Sequence, residues 1–108
     1  MECGMNITVR QEGAALVARF DEARLDAAVA IQFKDRMREI AAGAPDRVIL
    51  DLSRVEFLDS SGLGAVIAVM KMLGPERRLE LAALGPAVER VVRLTRMDTV
   101  FTIHAEAP

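Results

Sequence analysis

The sequence predicts a mixed α/β fold, a central sheet of about five strands with helices packed against it. Three observations predict it. Short apolar segments of strand character alternate with segments of helical period. The first two strand segments lie a turn apart, which suits an antiparallel hairpin. The later ones are separated by helices, which implies parallel pairing through right-handed crossovers. Finally, Val48-Ile49-Leu50 is apolar at every position, the pattern of a strand covered on both faces.

Ile7 to Arg10 and Ala14 to Phe20 read as the hairpin strands, joined around Gln11-Glu12-Gly13. Asp21 to Leu25 reads as a polar connector. Val29, Phe33, Met37 and Ile40 then recur at spacings of one helical face, with Asp26 as the N-cap and Gly43 and Pro45 as the stop. The exposed face of that helix sets Asp35 against Glu39 and Lys34 against Arg38, like charges four residues apart. Val48 to Leu52 is the central strand. A second helix follows Asp59-Ser60-Ser61, turns Leu63, Ile67, Met70 and Leu73 inward and stops at Gly74-Pro75. Leu79 to Leu84 is the next strand. Gly85-Pro86 opens a third helix with proline in its favoured first turn and with Val88, Val91, Val92 and Thr95 facing in. Phe101 to His104 is a last short strand, and Ala105 to Pro108 is expected to fray. One domain spans residues 1–108, with its core over about 7–104.

Composition narrows the function. The net charge is −2 and the basic residues are scattered, so no nucleic-acid stripe exists. Cys3 is the only cysteine, which excludes an internal disulfide and a cysteine metal cluster and fits a reducing compartment. It reads as incidental. The longest uncharged stretch, Ser60 to Met70, is far shorter than the roughly 20 residues that span a bilayer. A cytoplasmic monomer without membrane or nucleic-acid partners is expected.

The most informative stretch is Val55-Glu56-Phe57-Leu58-Asp59-Ser60-Ser61-Gly62-Leu63-Gly64. It carries a strand into a polar turn and sets two hydroxyls and a carboxylate at a helix N-terminus, where free amides and the helix dipole support negative charge. Gly62 and Gly64 each cost the helix roughly 1 kcal/mol relative to alanine. Bare backbone there implies close packing or a partner. By itself Asp59-Ser60-Ser61 also reads as ordinary capping. Asp26 shares that ambiguity, and a second role for it requires the Asp26 region to meet the 59–61 turn at the carboxyl edge of the sheet. Arg24 would add charge there. Enzyme chemistry is poorly supported. The only histidine, His104, sits near the chain end, and the serines lack a Gly-x-Ser-x-Gly elbow. No metal-ligand set and no phosphate-loop lysine occur, so no cofactor is expected.

Taken together, these residues resemble a STAS domain of the bacterial anti-sigma factor antagonist family. The resemblance rests on Arg24-Leu25-Asp26-Ala27-Ala28, on Val48 to Leu52 followed by Val55 to Gly64, and on Gly85 to Leu94. It implies a sheet with three or more helices mainly on one face and a strand nearer the other. It also implies partner switching rather than catalysis. The unphosphorylated chain would bind an anti-sigma factor that is also a serine kinase and so free a sigma factor. Phosphorylation of Ser61 would release it, and a metal-dependent serine phosphatase would reset it. Asp26, Asp59, Ser60, Ser61, Gly62, Leu63 and Gly64 would form the partner surface. The alternative is a STAS-type interaction module outside transcription, in a stress-signalling assembly or a lipid-transport complex.

Overall fold

The computed structural model describes residues 5–108, so Cys3 lies outside the described residues. The elements are β1 (Ile7–Glu12), β2 (Ala15–Phe20), β3 (Arg24–Leu25), α1 (Ala30–Ala42), β4 (Arg47–Asp51), β5 (Phe57–Leu58), α2 (Ser60–Leu73), β6 (Arg78–Ala82), α3 (Pro86–Leu94) and β7 (Ile103–His104). Five strands form one sheet in the order β1-β2-β4-β6-β7. The β1–β2 hairpin is antiparallel and turns at Gly13, whose φ of +61° suits glycine. The remaining pairs, β2–β4, β4–β6 and β6–β7, are parallel, as crossover helices require. Strand β4 sits at the centre, and Val48, Ile49 and Leu50 are wholly buried.

All three helices contribute to one apolar layer on one face of the sheet. Phe33 and Met37 of α1, Val66 and Val69 of α2 and Val88 and Val92 of α3 join Ala18, Phe20, Val48, Leu50, Leu79 and Leu81 of the strands. The Phe20 and Phe33 rings meet edge to face with centroids 5.6 Å apart. The exposed charges of α1 also pair across the turn, Arg36 with Glu39 at 3.4 Å and Arg38 with Asp35 at 3.1 Å, which offsets the like-charge neighbours.

Several expectations change. The segment Asp21 to Leu25 is not wholly connector: β3 pairs in parallel with β5 in a separate two-stranded sheet. Helix α1 starts at Ala30 after Val29 and has no side-chain cap, because the Asp26 carboxylate is committed to the turn before it. The deepest stripe of α2 is Leu63, Val66, Val69 and Leu73, with Ile67 and Met70 only half-buried. Strand β6 ends at Ala82: Ala83 takes a φ of +60°, with its N–H still donating to the His104 carbonyl at 3.0 Å. Thr95 is exposed and turns its hydroxyl back to the Val91 carbonyl at 2.7 Å. The final strand is only Ile103–His104, and Phe101 is a core residue. At the C-terminus Ala107 packs against the cluster of Ala15, Val17, Ile49 and Ala82 on the helix-free face, which therefore carries an irregular segment and not a strand.

That same face holds a buried charge. Glu80, on β6, is 3% exposed. Arg47 Nε donates to its Oε1 at 2.9 Å, His104 Nε2 lies 2.7 Å from the same oxygen, and Arg78 sits 3.3 Å from Oε2. Burial alone would push this carboxyl up. Hydrogen bonds from His104 and Arg47, with the charges of Arg47 and Arg78, outweigh burial and hold it below its ordinary value of 4.5. The folded protein therefore binds that proton more weakly than the unfolded chain. The resulting stabilisation is complete at neutral pH and is lost as pH falls through the folded-state value. Because the arginines reach into solvent, Glu80→Gln should cost about 1 kcal/mol at neutral pH. Urea melts should show the gap between variant and parent closing on acidification below 4.5. A gap that stays constant into strong acid would mean that the carboxylate charge contributes nothing.

Candidate functional site

Strands β2 and β4 both deliver their chains to the same end of the sheet. Beyond them, β3 and β5 pair with Arg24 opposite Phe57 and Leu25 opposite Leu58. This small ladder brings the Asp26 turn against the start of α2, two segments that the sequence alone leaves apart. The junction is tied by main chain on both sides. Asp59 N–H donates to the Leu25 carbonyl at 3.4 Å, and Glu56 N–H donates to the Ala23 carbonyl at 2.7 Å.

Asp59 is the N-cap of α2. Its Oδ1 accepts from Gly62 N–H at 2.8 Å, and its Oδ2 accepts from Ala27 N–H at 3.3 Å. One carboxylate thus satisfies an orphan amide of the helix and bridges to the neighbouring turn. Asp26 does the parallel work on its own side. Its Oδ1 accepts from Ala28 N–H at 3.1 Å, and its Oδ2 pairs with Arg24 Nε at 3.1 Å. Arg24 in turn lies over the Phe57 ring, 4.1 Å from its centroid, so a half-exposed aromatic and a cation line the lip of the site. Neither Phe57 nor this stacking is legible as a site feature in the sequence, because only the β3–β5 register sets the two side by side.

Around this frame the other expected residues divide. Ser60 and Ser61 are exposed at the first two positions of α2, and with Asp59 as the cap neither hydroxyl is needed for that task. Gly64 is exposed as well. Leu63 is 7% exposed and belongs to the core, and Gly62 is buried. His104, by contrast, is in register with Ala82 on the helix-free face and is held by Glu80, on the other side of the sheet from α2. No serine–histidine arrangement forms from it.

The two glycines have different reasons. A Cβ on Gly62 would fall 2.0 Å from the Leu25 carbonyl oxygen, a main-chain atom that cannot swing aside. Bare backbone there is what lets the two segments close. A Cβ on Gly64 would meet nothing within 4 Å. Gly62→Ala should therefore destabilise by about 3 kcal/mol or more, through overpacking against backbone. Gly64→Ala should stabilise by up to about 1 kcal/mol, through helix propensity alone. Chemical denaturation of both variants checks the pair. Equal effects would contradict the assigned packing.

Comparison with known proteins agrees with this architecture. Residues 6–107 match the family model described as the STAS domain. Over 81 residues the chain is 29% identical to the anti-sigma-F factor antagonist RsfB of Mycobacterium tuberculosis. The match covers 75% of this chain and 66% of that protein, so the chain spans just under two thirds of this curated relative's length. A STAS-domain containing protein of Pseudomonas aeruginosa is 28% identical over 101 residues, 93% of this chain and 89% of its own. An anti-sigma factor antagonist from Mycobacterium paratuberculosis, solved by crystallography, superposes with a TM-score of 0.83 at 29% identity, over 94% of this chain and 86% of that one. With a family model matched almost end to end, the chain belongs to the STAS domain family.

Proposed function

We propose that this chain is an anti-sigma factor antagonist that works by partner switching at the start of α2, with Ser61 as the residue that is phosphorylated. The similarity to RsfB and to the Mycobacterium paratuberculosis protein supports the class of function. Ser61 itself carries the reading. It is an exposed hydroxyl at the second position of a helix whose cap is supplied by another residue, so modification need not unmake the helix. Gly64 supports it further. The glycine weakens the helix and no packing contact among the described residues requires it, which suits a surface that a partner's backbone approaches closely.

The unphosphorylated form binds an anti-sigma factor with serine kinase activity and thereby frees the sigma factor. The chain is the substrate and the binder; the kinase supplies the chemistry. Ser60, Ser61 and Gly64 face the partner, with Asp26 and Arg24 at the rim. Gly62, Leu63 and Asp59 hold that surface in shape from beneath. Phosphorylation adds about −1.5 to −2 charges beside the Asp59 carboxylate, on a surface that docked as a neutral hydroxyl. Repulsion and lost close contact then expel the partner. A change of about 3 kcal/mol corresponds to roughly a hundredfold in affinity. A metal-dependent serine phosphatase returns the chain to its binding state.

Mass-spectrometric phosphosite mapping after incubation with ATP and extract from the source organism should place phosphate on Ser61 and find none in Ser61→Ala. Titration against the captured kinase should show Ser61→Asp weakened by about a hundredfold while Ser61→Ala stays bound. An unmodified Ser61 in an extract with active serine kinases would favour the interaction module outside transcription. Equal binding of Ser61→Asp and the parent chain would remove the switch.

A further inference from the structure

We infer that the depression beside the Asp26 turn seats one large apolar side chain of the anti-sigma factor, as a second anchor next to Ser60 and Ser61. The inference rests on the partner-switching reading and adds the contact that holds the partner. The depression has a volume of about 410 Å3 and is open to solvent on one side. It is lined by Glu22, Ala23, Arg24, Asp26, Ala28 and Val29, and its walls are mostly apolar. The charges on its rim already have partners. Arg24 Nε pairs with Asp26 at 3.1 Å while its guanidinium lies over the Phe57 ring, and Glu22 Oε2 accepts from Asn6 N–H at 3.0 Å. Hydrocarbon framed by paired groups is a seat for an apolar side chain rather than for an ion. An open depression cannot bury most of a free small molecule, so the occupant is a side chain carried on a protein surface.

The place of the depression selects that protein. Ala27, between two of the lining residues, donates its N–H to Asp59 Oδ2 at 3.3 Å, and Asp59 caps the helix that begins with Ser60 and Ser61. The depression and the serines therefore meet at one junction. The exposed members of α2 there, Ser60, Ser61 and Gly64, allow hydrogen bonds and close approach but supply little apolar area to bury. Binding energy at protein interfaces concentrates in a few large side chains that fill pockets. The walls of this pocket are fixed before a partner arrives. The Ala23 carbonyl accepts from the N–H groups of Glu56 and Phe57 at 2.7 and 3.1 Å, and Val29 N–H donates to the Asp26 carbonyl at 3.1 Å. Ala28 N–H donates to Asp26 Oδ1, also at 3.1 Å. Filling a preformed seat costs little ordering.

Two measurements test the seat and its occupant separately. Isobutanol, a stand-in for a leucine side chain, is titrated into the 15N-labelled full chain. The amides of Ala23, Ala28 and Val29 should shift saturably, and that of Leu94, an exposed leucine on α3, should not. Affinity for the captured kinase is then compared among variants. Ala28→Glu and Ala23→Glu, both at exposed positions, should each weaken binding of the unphosphorylated chain by about tenfold, the loss expected for one buried aliphatic side chain. Absence of the isobutanol shifts, or equal shifts at Leu94, would overturn the seat. Undiminished kinase binding by both variants, with Ser61→Asp still weakened, would overturn the inference and leave the switch standing. Isobutanol shifts at the depression in a chain that binds no kinase would remove the anti-sigma factor as occupant, together with the function proposed for Ser61. A parent dimer that Ala28→Glu dissociates would give the seat to a second copy instead.

Discussion

Strand β4 has to be covered on both faces, and much of the molecule follows from that. Val48 to Leu50 are apolar without interruption and wholly buried, so neither face of the central strand can meet water. One face is met by the apolar layer of α1, α2 and α3. Among the described residues no helix covers the other, and its cover comes from the segment around Ala107 and from paired charges at the margins. A central strand also needs neighbours on both sides. The parallel partners β2 and β6 supply them, which in turn forces the crossovers that α1 and α2 provide. Glu80 shows the same demand in polar form: its buried carboxylate is retained with Arg47 and Arg78 paired to it and a hydrogen bond to the His104 ring.

The candidate site is a by-product of that parallel arrangement. Parallel neighbours end at the same edge, so the chains leaving β2 and β4 emerge side by side and can form the β3–β5 ladder. What converts proximity into a single surface is a short list of contacts between unlike partners. The α-carbon of Gly62 lies against a main-chain carbonyl, and the Asp59 carboxylate is shared between two turns. The result is a surface whose exposed members on α2, Ser60, Ser61 and Gly64, are small and whose supporting members are fixed by backbone geometry. Charge added there changes what the surface presents more readily than how it is folded.

The sequence discloses the longer strands and the helices, because each depends on patterns that run over five residues or more. It hides what depends on shorter or longer range. Strands β3 and β5 have two residues each, too few for any periodicity to register. The inward stripe of α2 was legible only at Leu63 and Leu73. Gly62 to Met70 is apolar or small at every position, so the helical period has no polar face to fix its phase. Asp26 looks like a helix cap in one dimension, yet its carboxylate serves Ala28 and Arg24 instead. The requirement for Gly62 is visible in the sequence as a cost without a cause. The cause, the Leu25 carbonyl, comes from a segment far away in the chain.

The bridge from Ala27 to Asp59 joins positions 32 residues apart. An unfolded or half-folded chain displays Ser61 with none of the Asp26 turn beside it. Any enzyme that reads both segments together is therefore blind to misfolded copies, however exposed their serine. A composite surface of this kind exists only in molecules that have completed the β3–β5 ladder.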